Sequence, residues 1–369
     1  MSIAIQTEEK MKVKKVMNVF PVLDAGGTED VILKTSHYLI NEKNVMVSIL
    51  ADCSEGRRKQ NFIDTGITLF DNPSAKNKKD LLGNIKALKK AVVEFRPDIV
   101  HTHSIYSLIM AFGAKLLGGH FKIVHTGHGG PTANYDDVSQ HFSFMADRYI
   151  TLSQESYGKI SRNGKKKNIR LIYNGTTAPD ESEVYSELSL NNHDKLKLGF
   201  IGRVTKQKGL PTLIDALGKI NQRGIDFELL LIGDGEDRPD VEKQANSLGL
   251  SEKVIFKGYS ESPWILLKDV PIIVMPSLWE QAGLVAIEGM VRNRTVITTS
   301  INGLKDVVID GETGYLFDKL DSDKLADILE EISLGKRKLI HISESKRNEF
   351  FFSGRTGEKI HGLYEELLQ

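Results

Sequence analysis

The sequence is poor in cysteine and has no long apolar run. Its 369 residues include one cysteine, Cys53, which excludes an internal disulfide bond and a cysteine-rich metal site. The apolar runs are too short to cross a bilayer, and the opening segment MSIAIQTEEKMKVKK lacks a signal-like hydrophobic region. We therefore expect a cytoplasmic protein, with peripheral attachment to the inner face of the cell membrane as a second option.

The sequence also lacks an excess of charge of either sign. Lysine and arginine together number 49, as do aspartate and glutamate, and 40% of the residues are hydrophobic. This balance is typical of a folded globular protein, and it argues against disorder and against nucleic acid as a partner. The length suits two domains of about 150 to 200 residues each.

Strand and helix patterns alternate along the first half of the chain. A Gly26-Gly27 turn leads into one helical pattern, and residues 81–95 have the spacing of an amphipathic helix that ends before Arg96-Pro97. Apolar runs predict strands at residues 13–20, 45–50, 99–101, 122–125 and 149–152. This order predicts a parallel sheet flanked by helices.

A polar, aperiodic stretch at residues 174–194 predicts a linker, and a second α/β series follows it. Its predicted strands are 196–201, 227–232, 254–256, 272–275 and 295–298, and its predicted helices are 210–220, 241–248, 284–291 and 323–332. We therefore predict an α/β protein with two Rossmann-like doubly wound domains, residues 1–180 and 181–350, followed by a helical segment at 351–369.

The segment SLWEQAGLVAIEG, residues 277–289, directly follows a predicted strand. The free N–H groups of Gly283 and Leu284, at the start of a helix, would face an anion, and a ligand phosphate is the natural occupant. Gly283 places Glu280 in the loop and Glu288 about one turn into the helix. The two carboxylates would then accept hydrogen bonds from hydroxyls on different parts of one ligand. Two solvated glutamates are the alternative.

The segment GFIGRVTKQKG, residues 199–209, supplies two cations at the same edge of the predicted sheet. Arg203 and Lys208 lie between the end of a strand and the start of a helix. They would neutralise a diphosphate and the charge that grows on it as it leaves. Solvated side chains are again the alternative.

In this order the motifs resemble the retaining family-4 glycosyltransferases of the GT-B fold, and the resemblance covers nearly the whole chain. The resemblance implies that Arg203 and Lys208 bind the donor diphosphate, that Glu288 holds the nucleotide ribose and that Glu280 touches the transferred sugar. The matching segments are AGGTED (25–30), DIVHTHS (98–104), VHTGHGG (124–130), RYITLSQ (148–154), LIYNGTT (171–177), GRVTKQKG (202–209), LLLIGDGEDRPDVEKQA (229–245), VIFKGY (254–259) and the loop with Glu280 and Glu288.

The resemblance also implies roles for residues of the first half. Gly26 and Gly27 match a glycine-rich loop whose backbone amides approach the diphosphate or the acceptor, although an ordinary turn is the alternative. His128 matches a histidine beside the donor sugar, whereas His101 and His103 match positions on the acceptor side. The implied catalytic set is His128, Arg203, Lys208 and Glu280, and the donor site also includes Gly26, Gly27, Ala282, Gly283, Leu284 and Glu288.

No metal site and no resident cofactor are expected. The three histidines lack a carboxylate at a familiar ligand spacing, and Gly233-Asp234-Gly235 is not a dinucleotide fingerprint. Asp321-Ser322-Asp323 precedes a helical pattern and predicts an N-cap, while Asp136-Asp137 is interpreted as an acidic pair in a loop.

The resemblance implies a metal-independent enzyme that moves a sugar from a nucleoside diphosphate to a saccharide hydroxyl with retention of configuration. UDP is favoured over GDP as the nucleotide of the donor. Ala282 stands where an aromatic residue is common in the family, beside the sugar, and this difference leaves the identity of the donor sugar open. In this fold the helical segment at 351–369 would cross back to the first domain. A nucleotide-sugar epimerase of similar fold and an inactive nucleotide-sugar-binding subunit are the alternatives.

The first half also carries an excess of lysine. Residues 74–90 contain six lysines against one acidic residue, Asp80, and Lys165–Lys167 form a second cluster. Basic residues near an anionic bilayer contribute roughly 1 kcal/mol each to membrane binding, although a solvated helix face is the alternative. The functional interpretation is peripheral attachment to a bacterial membrane, with a lipid-linked saccharide of a surface glycan as acceptor.

Overall fold

The computed structural model describes residues 13–369 apart from residues 24–25, 54–58, 76, 130–133, 164–165 and 187–194. In that part of the chain, the first sheet contains β1 (Lys15–Val22), β2 (Met46–Asp52), β3 (Thr68–Asp71), β4 (Ile99–Thr102), β5 (Lys122–Thr126), β6 (Arg148–Thr151) and β7 (Ile169–Leu171). The strands are parallel, in the order β3-β2-β1-β4-β5-β6-β7. The order reverses between β1 and β4, as in a doubly wound sheet.

Helices cover both faces of the first sheet. On one face, Ile32 and Leu39 belong to an apolar cluster with the strands, and on the other face Leu88 and Leu108 belong to a second cluster. Burial of these apolar side chains is the main favourable contribution to folding. The helices of this half are α1 (Gly27–Lys43), α2 (Lys59–Asp64), α3 (Leu81–Phe95), α4 (Ile105–Leu116), α5 (Tyr135–Ser139) and α6 (Gln154–Asn163).

The second sheet contains β8 (Leu196–Ile201), β9 (Phe227–Ile232), β10 (Val254–Gly258), β11 (Ile272–Met275), β12 (Thr295–Thr299) and β13 (Tyr315–Phe317). Its strands are also parallel, in the order β10-β9-β8-β11-β12-β13. The helices around it are α7 (Leu210–Gln222), α8 (Arg238–Ser247), α9 (Pro263–Leu266), α10 (Leu284–Val291), α11 (Ser322–Ser333) and α12 (Glu344–Asn348). The sheet order reverses between β8 and β11, so the loops after these strands border the switch point.

The predicted architecture of two doubly wound α/β sheets is confirmed. The limits of α3, β8, β9, β11 and α10 agree with the predicted ones. The strands β3, β7 and β13, which have only three or four residues each, were not predicted from the sequence. Nor was α4, whose sequence IYSLIMAFGAKL is apolar at most positions and therefore has a weak helical period.

The last helix, α13 (Glu358–Leu368), packs on the first half of the chain. Ile360, Leu363 and Tyr364 belong to the apolar cluster of the first sheet. The chain first passes from one half to the other before β8. In this segment the Tyr185 amide donates to Arg292 O at 2.9 Å, so Tyr185 already contacts the second half. The exact limits at residues 180 and 350 stay predictions. Among the described residues, no helix combines the length and the apolar character that a membrane span requires.

Candidate active site

The loops that follow the strands of the two sheets face each other. A Cβ on Gly27, after β1, would lie 3.3 Å from Leu284 Cδ1 at the start of α10. Gly129, after β5, has a φ of +84°, and a Cβ there would lie 2.3 Å from Gln281 Cγ. Ala282 packs against the apolar cluster of the first sheet. The carboxyl ends of strands from both sheets therefore border one cleft.

Lys208 and Glu280 follow neighbouring strands of the second sheet and form an ion pair. Lys208 Nζ contacts Glu280 Oε1, and the two side chains are 18% and 13% exposed. Gly209 permits this approach, because its φ is +61° and a Cβ there would lie 2.1 Å from Pro276 O. Two residues predicted to share a donor site are therefore brought into contact.

Arg203 lies on the same loop as Lys208, directly after β8 and Gly202. Its side chain is exposed, so the guanidinium is accessible from solvent. Arginine presents a fork of N–H donors that matches a phosphate group. The loop therefore carries an exposed arginine, Arg203, beside a lysine, Lys208, that is paired with a carboxylate.

Helix α10 begins at Leu284, as predicted, and places Glu288 one turn in. Gly283 precedes it with a φ of +57° and makes no side-chain cap, so the first N–H groups of the helix are available to an anion. Glu288 Oε2 accepts from Trp264 Nε1 at 3.4 Å, and Lys34 of α1 lies 4.0 Å from Oε1. Burial raises the pKa of the Glu288 carboxyl, an effect that the nearby Lys34 ammonium opposes.

Gly26 and Gly27 form the loop that starts α1. Gly26 is the N-cap in an extended conformation that any residue can adopt, but a Cβ there would lie 2.6 Å from Glu29 Oε2. A side chain at position 26 would therefore require the Glu29 carboxylate to move. The bare backbone of Gly27 leaves the start of α1 close to α10 of the second half.

His101 is buried between the first sheet and the last helix. Its Nδ1 lies 2.6 Å from the Tyr364 hydroxyl, and its Nε2 lies 2.7 Å from Thr126 Oγ1. Both ring nitrogens therefore bond within the protein. His101 has no free nitrogen with which to make the contact to an acceptor that the resemblance had implied.

His103 and His128 form a direct contact below the cleft. His103 Nδ1 lies 2.9 Å from His128 Nε2, and His103 Nε2 lies 2.9 Å from Asn18 Oδ1. Burial lowers the pKa of His103 well below its usual value and lowers the pKa of His128 to about 3. Both rings are therefore neutral at physiological pH, and His103, like His101, has no free nitrogen for an acceptor.

A polar contact between the halves was missed by the sequence analysis. Gln281 Nε2 lies 3.4 Å from both carboxylate oxygens of Asp136, and Gln281 Oε1 lies 2.8 Å from Ser156 Oγ. The interpretation of Asp136-Asp137 as a loop pair was wrong, because both residues lie in α5 and Asp136 is buried. Gln281 stands beside Glu280 in the sequence, but its contact with Asp136 has no signal in the local pattern.

The Asp321-Ser322-Asp323 segment lies at the start of helix α11. Asp321 is the N-cap of α11 and accepts a hydrogen bond from the Lys324 amide at 2.8 Å, which confirms the predicted cap. In the part of the chain that the structure describes, no group of three or more His, Cys, Asp or Glu side chains is arranged to hold a metal ion. The predicted metal independence of the reaction stays a prediction.

Two family models match the chain, one on each half. "Glycosyltransferase Family 4" matches residues 25–178, and "Glycosyl transferases group 1" matches residues 182–349. The two matches together follow the division into two α/β halves.

Curated relatives agree with these matches. An uncharacterized glycosyltransferase of Methanocaldococcus jannaschii is 30% identical over 73% of this chain and 76% of its own length. The alpha-D-kanosaminyltransferase of Streptomyces kanamyceticus is 27% identical over 46% of this chain, and the match spans less than half, 45%, of that enzyme. The capsular polysaccharide biosynthesis glycosyltransferase CapM of Staphylococcus aureus is 29% identical over 61% of this chain and 63% of its own length.

Solved structures show the same fold over nearly the whole chain. A glycosyltransferase from Rickettsia africae superposes with a TM-score of 0.78 at 21% identity, covering 97% of this chain and 100% of that one. HepE from Anabaena, solved in complex with UDP and glucose, superposes with a TM-score of 0.76 at 17% identity, covering 95% and 99%. The chain therefore belongs to the family-4 glycosyltransferases, and its fold is GT-B.

Proposed function

We propose that this protein transfers a sugar from a nucleoside diphosphate to a hydroxyl of a saccharide acceptor, with retention of the anomeric configuration. One observation carries the proposal. The loop that holds Lys208 against Glu280 and the uncapped start of α10 face the His128–Gly129 loop across one cleft. Cations and helix N–H groups suit a diphosphate, and carboxylates and a neutral imidazole suit sugar hydroxyls.

Some residues of the cleft are proposed to stabilise charge, and others to bind the donor. Arg203, Lys208 and the N-terminus of α10 stabilise the negative charge that grows on the leaving diphosphate. Glu288 holds the ribose hydroxyls, while Glu280 and His128 hold the transferred sugar. Gly26 and Gly27 close the cleft from the first domain.

The chemical step needs no carboxylate nucleophile. As the bond from the anomeric carbon to the diphosphate breaks, a phosphate oxygen of the leaving group takes the proton of the acceptor hydroxyl. The acceptor oxygen bonds to the anomeric carbon on the face that the diphosphate leaves, so the configuration is retained. Contacts between the domains exclude water, which is a competing acceptor.

UDP is the proposed nucleotide of the donor. HepE, a protein of the same fold, was solved with UDP and glucose, and this supports UDP over GDP. No metal ion takes part in the proposed step, because three positive groups already face the phosphates: Arg203, Lys208 and the N-terminus of α10. The acceptor is proposed to be a saccharide or a lipid-linked saccharide of a bacterial surface glycan, which the resemblance to CapM supports.

The test is incubation of the purified protein with UDP- and GDP-sugars, with and without saccharide acceptors and EDTA. We expect release of UDP that depends on the acceptor and survives EDTA. Conversion of the donor into another nucleotide sugar without nucleotide release would indicate the epimerase instead. Tight binding of a UDP-sugar without any turnover would indicate an inactive binding subunit.

A further inference from the structure

A line of hydrogen bonds runs under His128 through the interior of the first domain. Asn18 of β1 contacts His103, which follows β4, and His103 contacts His128, which follows β5; both distances are 2.9 Å. Asn18 is 2% exposed and His103 is 6% exposed. Because Asn18 and His103 are buried, their polar atoms bond to protein groups, and the direction of each hydrogen bond follows from its neighbours.

The direction is fixed at the Asn18 end. Ser36 Oγ donates its proton to Ile32 O at 2.7 Å, so it can only accept from Asn18 Nδ2, which lies 3.5 Å away. The amide of Asn18 is thereby oriented with Oδ1 towards His103. Because Oδ1 has no proton to donate, His103 Nε2 must carry the proton between them.

The direction of the next hydrogen bond, between His103 and His128, is fixed as well. A neutral His103 ring with a proton on Nε2 has none on Nδ1, so Nδ1 must accept from His128 Nε2. His128 is neutral as well, because burial lowers its pKa to about 3. A neutral ring protonated on Nε2 has an unprotonated Nδ1, which can accept a hydrogen bond but cannot donate one.

We propose that Asn18 and His103 are positioning residues that hold His128 with its proton on Nε2 and present Nδ1 as a pure acceptor. The consequence rests on the proposed function, in which His128 lies beside the donor sugar. Nδ1 then pairs with a sugar hydroxyl, which can donate a proton, and repels the phosphate oxygens, which cannot. This line of hydrogen bonds from Asn18 through His103 to His128, the histidine relay, thus helps His128 to distinguish the sugar from the diphosphate.

The surroundings of His103 keep the relay neutral. The titratable groups that face it are His101, at a ring distance of 4.3 Å, His125 and His128, and burial lowers the pKa of each. Phe20 packs edge-on against the same ring. We therefore expect the protonation of His128 to be the same at about pH 6 and about pH 9 in the unmodified protein.

Asn18→Asp is the decisive variant, because it keeps the shape and the acceptor oxygen but adds a charge. The carboxylate raises the pKa of His103, which takes up a second proton as the pH falls. His103 Nδ1 then donates, so His128 Nε2 must accept and its proton moves to Nδ1. Asn72→Asp is the matched control, since Asn72 is 4% exposed in the same domain and contacts Asn84 instead of a histidine.

The measurement is nitrogen-15 NMR of histidine-labelled protein without substrate, with His128 assigned from a His128→Gln sample. We expect Nε2–H on His128 in the unmodified protein and in Asn72→Asp at both pH values. In Asn18→Asp we expect the His128 proton to move to Nδ1 at about pH 6 and to return to Nε2 at about pH 9, with turnover lost and recovered in parallel. Thermal unfolding of both variants shows whether each is folded.

Three results would overturn the inference: Nδ1–H on His128 in the unmodified protein, a His103 that stays neutral in Asn18→Asp at about pH 6, or an unchanged His128 ring when His103 is doubly protonated. These results do not depend on substrate. Absence of glycosyl transfer by the unmodified protein, with the expected spectra, would count against the proposed function alone.

Discussion

At the scale of single residues, Lys208 gives the clearest prediction for activity. Its ammonium contacts Glu280 at the edge of the cleft, where the proposed diphosphate leaves. Lys208→Met should lower kcat/KM by about 100- to 1,000-fold, as for the loss of one oxyanion donor. Lys206→Met removes an exposed lysine from the same turn and should leave kcat/KM unchanged. Equal activity of the two variants would show that Lys208 does not take part in the reaction.

Glu288 gives a prediction for stability. Burial raises its pKa in the folded state, so the folded protein binds this proton more tightly than the unfolded chain does, and stability falls as the pH rises through that range. Glu288→Gln should therefore raise Tm at about pH 8, and the gain should shrink towards about pH 4. UDP binding should weaken in the same variant.

The control for Glu288 is Glu252→Gln, which changes an exposed carboxylate by the same chemistry. Thermal unfolding at both pH values, together with calorimetric titration of UDP, checks the prediction. A lower Tm of Glu288→Gln at about pH 8, or a gain in Tm that is the same at both pH values, would contradict the conclusion that the buried Glu288 carboxylate destabilises the folded protein. Unchanged UDP affinity would contradict the ribose assignment.

The sequence was informative for residues whose neighbours along the chain determine their place. Glu280 and Glu288 were assigned to a loop and a helix because Gly283 lies between them, and the structure agrees. The contact of Gln281 with Asp136 joins residues 145 positions apart, and no local pattern could predict it. The histidine relay also depends on three different strands, so only tertiary structure shows it.

At the scale of elements, α3 carries the prediction about membranes. Its outward face combines the exposed lysines Lys86, Lys89 and Lys90 with two exposed apolar residues, Leu82 at 72% and Val93 at 66%. Exposed apolar residues among lysines suit an anionic bilayer surface. Lys78 and Lys79 are exposed just before the helix; Lys76 and Lys165 lie outside the described residues, as does the side chain of Lys166.

We expect the protein to sediment with liposomes containing anionic lipid, and replacement of Lys86, Lys89 and Lys90 by Gln should abolish most of this binding. The matched control replaces Lys243, Lys257 and Lys268, three exposed lysines of the second domain, and removes the same charge. Equal loss of binding in both triple variants, or binding that ignores lipid charge, would favour a solvated helix face and a soluble acceptor.

Elements with long apolar runs or a clear amphipathic period were predicted well, because burial of one face determines both the pattern and the element. The edge strands β3, β7 and β13 are too short to show a period, and sheet pairing stabilises them from outside their own sequence. The same reason explains α5, a five-residue helix whose buried Asp136 is held by partners far along the chain.

At the scale of the whole molecule, the contact between Gly129 and Gln281 joins the two domains. A Cβ at position 129 would lie 2.3 Å from Gln281 Cγ, and the φ of +84° disfavours any side chain there. Gly129→Ala should therefore push the domains apart at the cleft and lower kcat/KM, by about tenfold or more.

Gln281→Ala should relieve part of the Gly129→Ala defect, because it removes the atoms that clash but not the backbone strain. A double-mutant cycle on kcat/KM measures this coupling. Additive effects of the two substitutions would show that the two loops do not act on each other. Gly158→Ala, at an open helical position of the first domain, is the control for a glycine change without a clash.

Glycosyl transfer with retention, in the cleft between the two domains, is the proposed activity on which the other assignments depend. The most direct test follows, by proton NMR, the sugar that the enzyme first releases from α-configured UDP-sugars, with saccharide or water as acceptor. We expect UDP and an α-configured product before mutarotation, and loss of both in Lys208→Met but not in Lys206→Met. A β-configured first product would contradict this expectation, as would equal product formation by the two variants.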